Sequence, residues 1–329
     1  MGEKIKLATA FSGIGAVECA IQNLHIPHSI IFAGDIDTFC KETYFANYKI
    51  DESQWHTDVR KFSAIEYANK IDLFVGGSPC QSFSVMGKRM GFEEARGTLF
   101  YDFARIVSEC KPKVFIYENV TGMLNHDKGR TWKIISRIFD NLHYHWTYWV
   151  LNAKDYGIPQ NRRRIFVVGF RDDCANYFSK LQMPQPFDLE YKMSDFFEKS
   201  IDNKYYLPEK GFIRATSPNE SKHVALNGSI ARCQVACQQY NWFGDLRFET
   251  NIPQCVESDN RIFKGYYKGE RGVTRMLTPR ECLRLMGYPD TFKIVVNDTQ
   301  MYRQCGNSIA VNVMEQVVKS IITTGIFNS

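Results

Sequence analysis

Leu7-Ala8-Thr9-Ala10-Phe11-Ser12-Gly13-Ile14-Gly15-Ala16 decides the fold. Residues 7–11 form a short apolar run of strand length. Residues 12–16 carry two glycines, which let the backbone turn tightly and approach a ligand. Residues 17–24 then space their apolar side chains as a helix does. A second apolar run, Ser29-Ile30-Ile31-Phe32-Ala33-Gly34, ends in Asp35-Ile36-Asp37. Strand, glycine turn, helix, and a strand ending in an acid make one unit of a mostly parallel sheet. The rhythm returns in Ile71-Asp72-Leu73-Phe74-Val75-Gly76-Gly77, Val114-Phe115-Ile116-Tyr117, Trp146-Thr147-Tyr148-Trp149-Val150-Leu151 and Arg164-Ile165-Phe166-Val167-Val168-Gly169-Phe170. It predicts an α/β, Rossmann-like sheet with helices on both faces.

The chain has 329 residues, 44% of them apolar and 23% charged, which suits one large domain and a smaller one. No apolar run reaches the ~18 residues of a membrane helix, and no signal peptide opens the sequence, so a cytoplasmic protein without membrane partners is expected. The ten cysteines include no Cys-x-x-Cys pair. Cys233 and Cys237 with His223 make a poor zinc pattern, so free thiols and no metal are expected. The net charge of +5 says little. The local clusters Lys88-Arg89, Arg162-Arg163-Arg164 and Lys264 to Arg284 are either solvated surface or phosphate contacts.

The character changes at Met183-Pro184-Gln185-Pro186, after which periodicity weakens and Asn, Gln, Ser and Gly accumulate. Helical spacing returns over 308–322. The expected division is a discontinuous catalytic and cofactor domain at 1–186 and 300–329, a smaller, mostly β or irregular domain at 187–274, and a hinge at 275–299.

The third strand runs into Ser78-Pro79-Cys80-Gln81, and the fourth into Glu118-Asn119-Val120. A cysteine just past a strand end sits where open α/β sheets bind ligands. A thiol and a carboxyl group delivered by neighbouring strands suit attack on an electron-poor ring: the thiolate adds, and the acid steadies the ring nitrogen that takes up charge. The glycine turn with Asp35 outlines a nucleotide-cofactor site. The full dinucleotide pattern would need glycine at Glu18, which argues against a pyrophosphate-binding loop and a nicotinamide enzyme. S-adenosyl-L-methionine, which carries no phosphate, needs only the turn and the acid. Asp58 is either an acceptor for the adenine amino group or a surface turn residue.

The chain resembles the cytosine-C5 DNA methyltransferases, in particular the small bacterial restriction-modification type. The resemblance rests on Phe11-Ser12-Gly13-Ile14-Gly15, Gly77-Ser78-Pro79-Cys80-Gln81-Ser82-Phe83-Ser84, Arg96-Gly97-Thr98-Leu99-Phe100 and Glu118-Asn119-Val120. It continues through Gln160-Asn161-Arg162-Arg163-Arg164, Leu277-Thr278-Pro279-Arg280-Glu281 and Gly306-Asn307-Ser308. It implies that Cys80 is the nucleophile adding to C6 of a flipped-out cytosine, that Glu118 contacts N3 and the amine, that Arg164 donates to O2, and that Arg162 braces the site. It implies cofactor contacts from Phe11, Ser12, Gly13, Gly15, Asp35, Ile36, Asp58, Pro79, Leu99, Asn307 and Ser308. Relatives often carry Glu then Trp where this chain has Asp35 and Ile36, so the ribose contact carries over better than adenine stacking.

The same resemblance makes 85–97 a mobile loop closing over double-stranded DNA, with Gln81, Ser84, Met86, Lys88, Arg89 and Arg96 at the DNA. Residues 230–242 alternate with period two, which predicts a half-buried strand. Its polar face would present Arg232, Gln234, Gln238 and Tyr240, followed by Arg247, to the bases; a plain exposed strand is the other reading. The family implies a monomer paired with a restriction endonuclease. Two rivals stand beside it: a transfer-RNA cytosine methyltransferase, whose usual Cys-Phe-Thr stretch is absent, and a catalytically silent DNA-binding regulator, which typically lacks the nucleophile.

Overall fold

The computed structural model describes residues 4–79, 99–220 and 222–328. The chain divides into two compact units, one of residues 1–152, 163–186 and 309–329, the other of 153–162 and 187–308.

The first unit is built on a six-stranded sheet. Its strands are β1 (Ile5–Ala10), β2 (His28–Phe32), β3 (Leu73–Gly76), β4 (Val114–Val120), β5 (Tyr144–Asn152) and β6 (Arg163–Arg171), in the spatial order β2-β1-β3-β4-β6-β5. β1 pairs in parallel with β2 and β3, and β3 with β4. β6 runs antiparallel between β4 and β5. The strands are apolar on both faces because both faces are covered. Phe74, Phe115, Tyr117, Ile165 and Val167 belong to one core cluster, with Phe100 and Phe103 of helix Leu99–Cys110 and Ile135 and Phe139 of helix Arg130–Asp140. Phe115 stacks on Phe139 and Phe74 on Phe103, with ring centroids 5.4 and 5.2 Å apart. The alternate residues Leu73, Val75, Val114, Ile116 and Val168 are equally buried. Helix Ala16–Asn23 packs with the late helix Val311–Thr323, which joins this unit from the far end of the sequence.

The second unit holds a four-stranded sheet of β7 (Val224–Leu226), β8 (Gly244–Glu249), β9 (Gly265–Tyr267) and β10 (Glu270–Met276), ordered β7-β8-β10-β9. It reaches further than 187–274. Helices Pro279–Arg284 and Asp298–Asn307 pack together within it, so residues 275–308 are structured parts of this unit. Its centre is an ion cluster. The Arg275 guanidinium, 1% exposed, donates to Glu249 at 2.7 Å and to both oxygens of Glu281 at 2.8 and 2.9 Å. Thr278 and Glu281 close a capping box on the first of those helices.

Residues 230–242 are not a strand. Ala231 makes one isolated bridge, to Gln160, and a 3-10 turn follows at Tyr240–Trp242. Left-handed backbone at Gln239, Asn241 and Trp242, φ 61°, 50° and 61°, breaks any extended run. The segment before β6 has taken the backbone groups a sheet would use. The Ala231 N–H donates to Pro159 O at 2.7 Å, Asn161 N–H to Ala231 O at 2.8 Å, and Gln234 N–H to Gln160 Oε1 at 3.0 Å. Among the described residues no helix is long and apolar enough to cross a membrane.

Candidate active site

β1 ends at Ala10, and the next turn of chain is built on left-handed backbone: φ is 55° at Phe11, 54° at Gly13 and 79° at Gly15. A Cβ at Gly15 would fall 2.2 Å from the Tyr48 ring, whose hydroxyl donates to Gly15 O at 2.6 Å. A Cβ at Gly13 would meet nothing within 4 Å, so the loop is open on that side. Three hydrogen bonds zip this loop to the segment after β2. Ser12 N–H donates to Gly34 O, Gly34 N–H to Ser12 Oγ, and Gly13 N–H to Asp35 Oδ2, each at 2.9 Å. Burial holds the Asp35 carboxyl above its ordinary value, opposed by the N–H groups of Asp37 and Gly13. Beside it Ile36 is 65% exposed, an apolar side chain left bare at the loop. Asp58 is clasped by the Arg60 guanidinium at 2.8 and 2.9 Å, and those bonds hold it below its ordinary value. Leu99 opens its helix and packs against the core cluster.

On the other side of β1 from β2, the end of β3 meets the end of β4. Asn119 Nδ2 donates to Ser78 O and to the Tyr117 hydroxyl, both at 2.9 Å, and the Ser78 and Tyr117 hydroxyls lie 2.7 Å apart. All three residues are buried, while Pro79 is exposed. A Cβ at Gly77 would fall 2.9 Å from Glu118 O and 3.1 Å from Glu118 Oε2. The backbone leading toward residue 80 therefore touches the Glu118 carboxyl. Glu118 Oε1 lies 3.3 Å from Arg164 Nε, and Arg164 Nη1 donates to Arg163 O at 2.9 Å. Cys80, Gln81, Ser84, Met86, Lys88, Arg89 and Arg96 lie outside the described residues.

The remaining expected residues belong to the second unit. β6 begins at Arg163, so Arg162 lies just before the strand. Arg162 is buried and donates to three carbonyls: Gln234 O at 2.8 Å, Gly306 O at 3.1 Å and Ser308 O at 2.6 Å. Asn307 is exposed at the end of its helix, and Ser308 is buried with its hydroxyl 2.7 Å from that of Tyr288. The expected polar reading face does not form. Gln234 and Gln238 are 4% and 6% exposed, and their amides donate to Cys282 O and to Gln234 Oε1. Arg232 is half-buried on Lys222 O, and Arg247 lies over the Phe197 ring, while Tyr240 is exposed. Burial along 231–238 does not follow period two: Ala231, Gln234 and Gln238 are buried, while Val235 and Cys237 are exposed.

The C-5 cytosine-specific DNA methylase family matches residues 5–323. The chain belongs to this family. It is similar to the type II methyltransferase M.SsoII of Shigella sonnei, with 36% identity over 98% of this chain and 81% of that protein. It is 36% identical to M.HpaII of Haemophilus parainfluenzae, over 97% of this chain and 90% of the relative. M.HhaI of Haemophilus parahaemolyticus is 32% identical, over 96% and 94%. The solved DNMT2 mutant from Spodoptera frugiperda shares the fold, with a TM-score of 0.73 at 20% identity over 97% of this chain and 100% of its own. The α/β sheet is thus of the Rossmann-like methyltransferase kind, and the protein is an enzyme, a DNA cytosine-C5 methyltransferase that needs a methyl donor.

Sequence reading gave no role to Ser78, Tyr117 and Asn119, although Ser78 and Asn119 lie inside the family motifs and Tyr117 immediately precedes one of them. The signal available was Asn119 itself, a buried polar residue beside Glu118 in a strand whose other side chains are aliphatic or aromatic. Gln160 is the other omission: fully buried, it donates to Leu285 O at 2.6 Å and accepts from Gln234 N–H.

Proposed function

We propose that this methyltransferase moves the methyl group of S-adenosyl-L-methionine to C5 of a cytosine flipped out of double-stranded DNA, using Cys80 as a transient nucleophile. The observation that carries this reading is the Glu118–Arg164 pair, 3.3 Å apart, against the glycine that leads to Pro79 and Cys80. The cofactor suits the residues present. The loop is open at Gly13, it offers no third glycine for a pyrophosphate, and Asp35 stands zipped beside it as an acceptor for ribose hydroxyls. S-adenosylmethionine supplies, when bound, an electrophilic methyl group on a sulfonium.

The chain's own groups do the rest. The Cys80 thiolate adds to C6, which makes C5 electron-rich enough to take the methyl group. Glu118 holds N3 and the amine of the ring, sharing the proton that N3 requires. Arg164, already braced on Glu118, donates to O2. A base, water among the candidates, removes the C5 proton, and the thiolate leaves as the ring regains its double bond. Arg162 fixes the backbone at Gln234, Gly306 and Ser308. By family resemblance Phe11, Ser12, Gly13, Gly15, Asp35, Ile36, Asp58, Pro79, Leu99, Asn307 and Ser308 contact the cofactor.

The reading extends to a monomeric, cytoplasmic modification enzyme paired with a restriction endonuclease, its DNA sequence read by residues within 187–274. Support comes from the type II relatives and from the exposed Tyr240. Duplex carrying 5-fluorocytosine at the target tests the mechanism, because fluorine cannot leave as a proton does. A covalent protein–DNA species that maps to Cys80 by mass spectrometry, and is missing in Cys80→Ser, is expected. Methyl transfer without any trapped species would refute the covalent route.

A further inference from the structure

Glu18 stands where a dinucleotide-binding loop would carry its third glycine, the position that brings helix and strand together. It is wholly buried, in the first turn of helix Ala16–Asn23. Burying a carboxyl group is unfavourable unless hydrogen bonds compensate it. Here Glu18 Oε1 accepts from the Thr9 hydroxyl at 2.9 Å and from the Tyr44 hydroxyl at 2.8 Å. Burial pushes the Glu18 carboxyl above its ordinary value, against those two bonds.

The Thr9 bond has a direction, and the direction propagates. Thr9 gives its only hydroxyl hydrogen to Glu18, so toward Ser12, 2.7 Å away, Thr9 Oγ1 acts as acceptor and Ser12 as donor. With its hydrogen committed to Thr9, Ser12 Oγ keeps its lone pairs for the Gly34 N–H at 2.9 Å. The relay therefore runs from Gly34 N–H through Ser12 and Thr9 to Glu18, which is its terminal acceptor. Its outer end is the zipper that ties the Ser12–Gly13 backbone to Gly34 and Asp35.

We propose that Glu18 is a positioning residue for the methyl donor: by ending the Thr9–Ser12 hydroxyl relay it holds the glycine loop and Asp35 at the spacing that S-adenosylmethionine requires. The inference rests on the cofactor reading above. Glu18 touches no cofactor atom itself, because two side chains intervene between it and the loop surface. A Cβ at Gly34 would fall 2.0 Å from His56 O, so the backbone there is packed tightly against the residue 56 carbonyl.

The test measures the dissociation constant for S-adenosylmethionine by calorimetry, KM and kcat on duplex DNA, and the melting temperature, for Thr9→Val, Thr9→Ser, Glu18→Leu, Glu18→Gln and the Thr9→Val/Glu18→Leu double variant. Thr9→Val and Glu18→Leu are each expected to weaken cofactor binding about tenfold or more, with kcat at saturating cofactor and KM for DNA within about threefold of wild type. Thr9→Ser and Glu18→Gln, which keep the relay and its acceptor, restore most of the affinity. The double variant binds no more weakly than the poorer single one, because both cut the same chain. If Glu18→Leu does not fold, the Thr9 pair decides. Wild-type affinity in Thr9→Val, or losses that multiply in the double variant, would overturn the inference while leaving the cofactor reading intact. Wild-type protein that binds no S-adenosylmethionine would overturn that reading itself.

Discussion

Glu118 and Arg164 face each other from adjacent antiparallel strands, with Oε1 and Nε 3.3 Å apart and both side chains largely buried. The register pairs Val120 with Arg164 and Glu118 with Phe166, so the two groups meet diagonally at the end of the sheet. On the mechanism proposed above, this carboxylate and guanidinium would make the contacts along the N3–O2 edge of the cytosine. Neither has to be drawn out of water when the base arrives.

Breaking that pair is expected to affect chemistry and stability differently. Glu118→Gln keeps the shape but cannot share a proton with N3, and kcat should fall by roughly 10²–10⁴. Arg164→Met leaves Glu118 without its cation and should lower stability by about 1–3 kcal/mol. The Glu118→Gln/Arg164→Met double variant should be less destabilised than the sum of the singles, by about 1 kcal/mol or more. Urea unfolding of the four proteins checks the cycle. Strict additivity would mean that the observed contact carries no energy.

Gly77 is the next test, because it lies just past β3 against Glu118. Alanine there would set a methyl 2.9 Å from Glu118 O and 3.1 Å from Oε2. The strand end or the carboxyl must shift. Gly77→Ala should cost about 1–3 kcal/mol of stability and lower kcat at least tenfold, while the dissociation constant for S-adenosylmethionine stays near wild type. Calorimetry beside steady-state rates distinguishes the two effects. A variant with normal kcat would show that the Gly77–Glu118 contact is unimportant to the reaction.

The first unit was largely legible because its strands are buried on both faces and so read as unbroken apolar runs between glycines. Ile71 to Gly77 and Val114 to Tyr117 are the clearest, and they deliver Gly77 and Glu118. The Ser78–Tyr117–Asn119 cluster was not legible, since serine and asparagine at a strand end resemble ordinary turn residues until their partners are in place. The second unit resisted for a different reason. β8 and β10 carry Asp245, Arg247, Glu249 and Arg275, and a hydropathy reading assigns such charges to solvent. They are strands because the charges neutralise one another inside, as Arg275 does with Glu249 and Glu281. Conversely, 230–242 looked like a strand because polar and apolar residues alternate there, yet its glutamines are buried and Val235 and Cys237 exposed.

Asp245 gives a pH prediction. Burial pushes its carboxyl up to about 6, opposed by the Arg232 N–H that donates to Oδ2 at 2.8 Å. The folded value lies above the ordinary value near 4, so the folded chain holds this proton more tightly than the unfolded one. Its contribution to stability is complete below about pH 4 and is lost as pH rises through about 6. The loss is on the order of 2–3 kcal/mol from a shift of roughly two units. Asp245→Asn cannot titrate and should flatten that segment of the stability curve. Unfolding midpoints from pH 4 to 8 for both proteins measure it, and an unchanged slope in the variant would assign the dependence to another group.

Arg275 supports the second unit through charge rather than through apolar packing. Removing it takes the cation from the fully buried Glu281, which also accepts the Thr278 N–H at 2.9 Å, while Glu249 keeps Arg247 at 3.0 Å. A lone buried charge is far more unfavourable than a missing pair, so Arg275→Met alone should lose about 3–5 kcal/mol. Replacing the whole cluster, as Arg275→Met/Glu249→Gln/Glu281→Gln, removes the carboxylates together with their partner. The triple variant should then be more stable than Arg275→Met alone, despite carrying two more substitutions. Denaturant unfolding of wild type, single and triple variants orders the three. A triple variant less stable than the single one would mean that the Glu281 capping box, and not charge compensation, is what Arg275 protects.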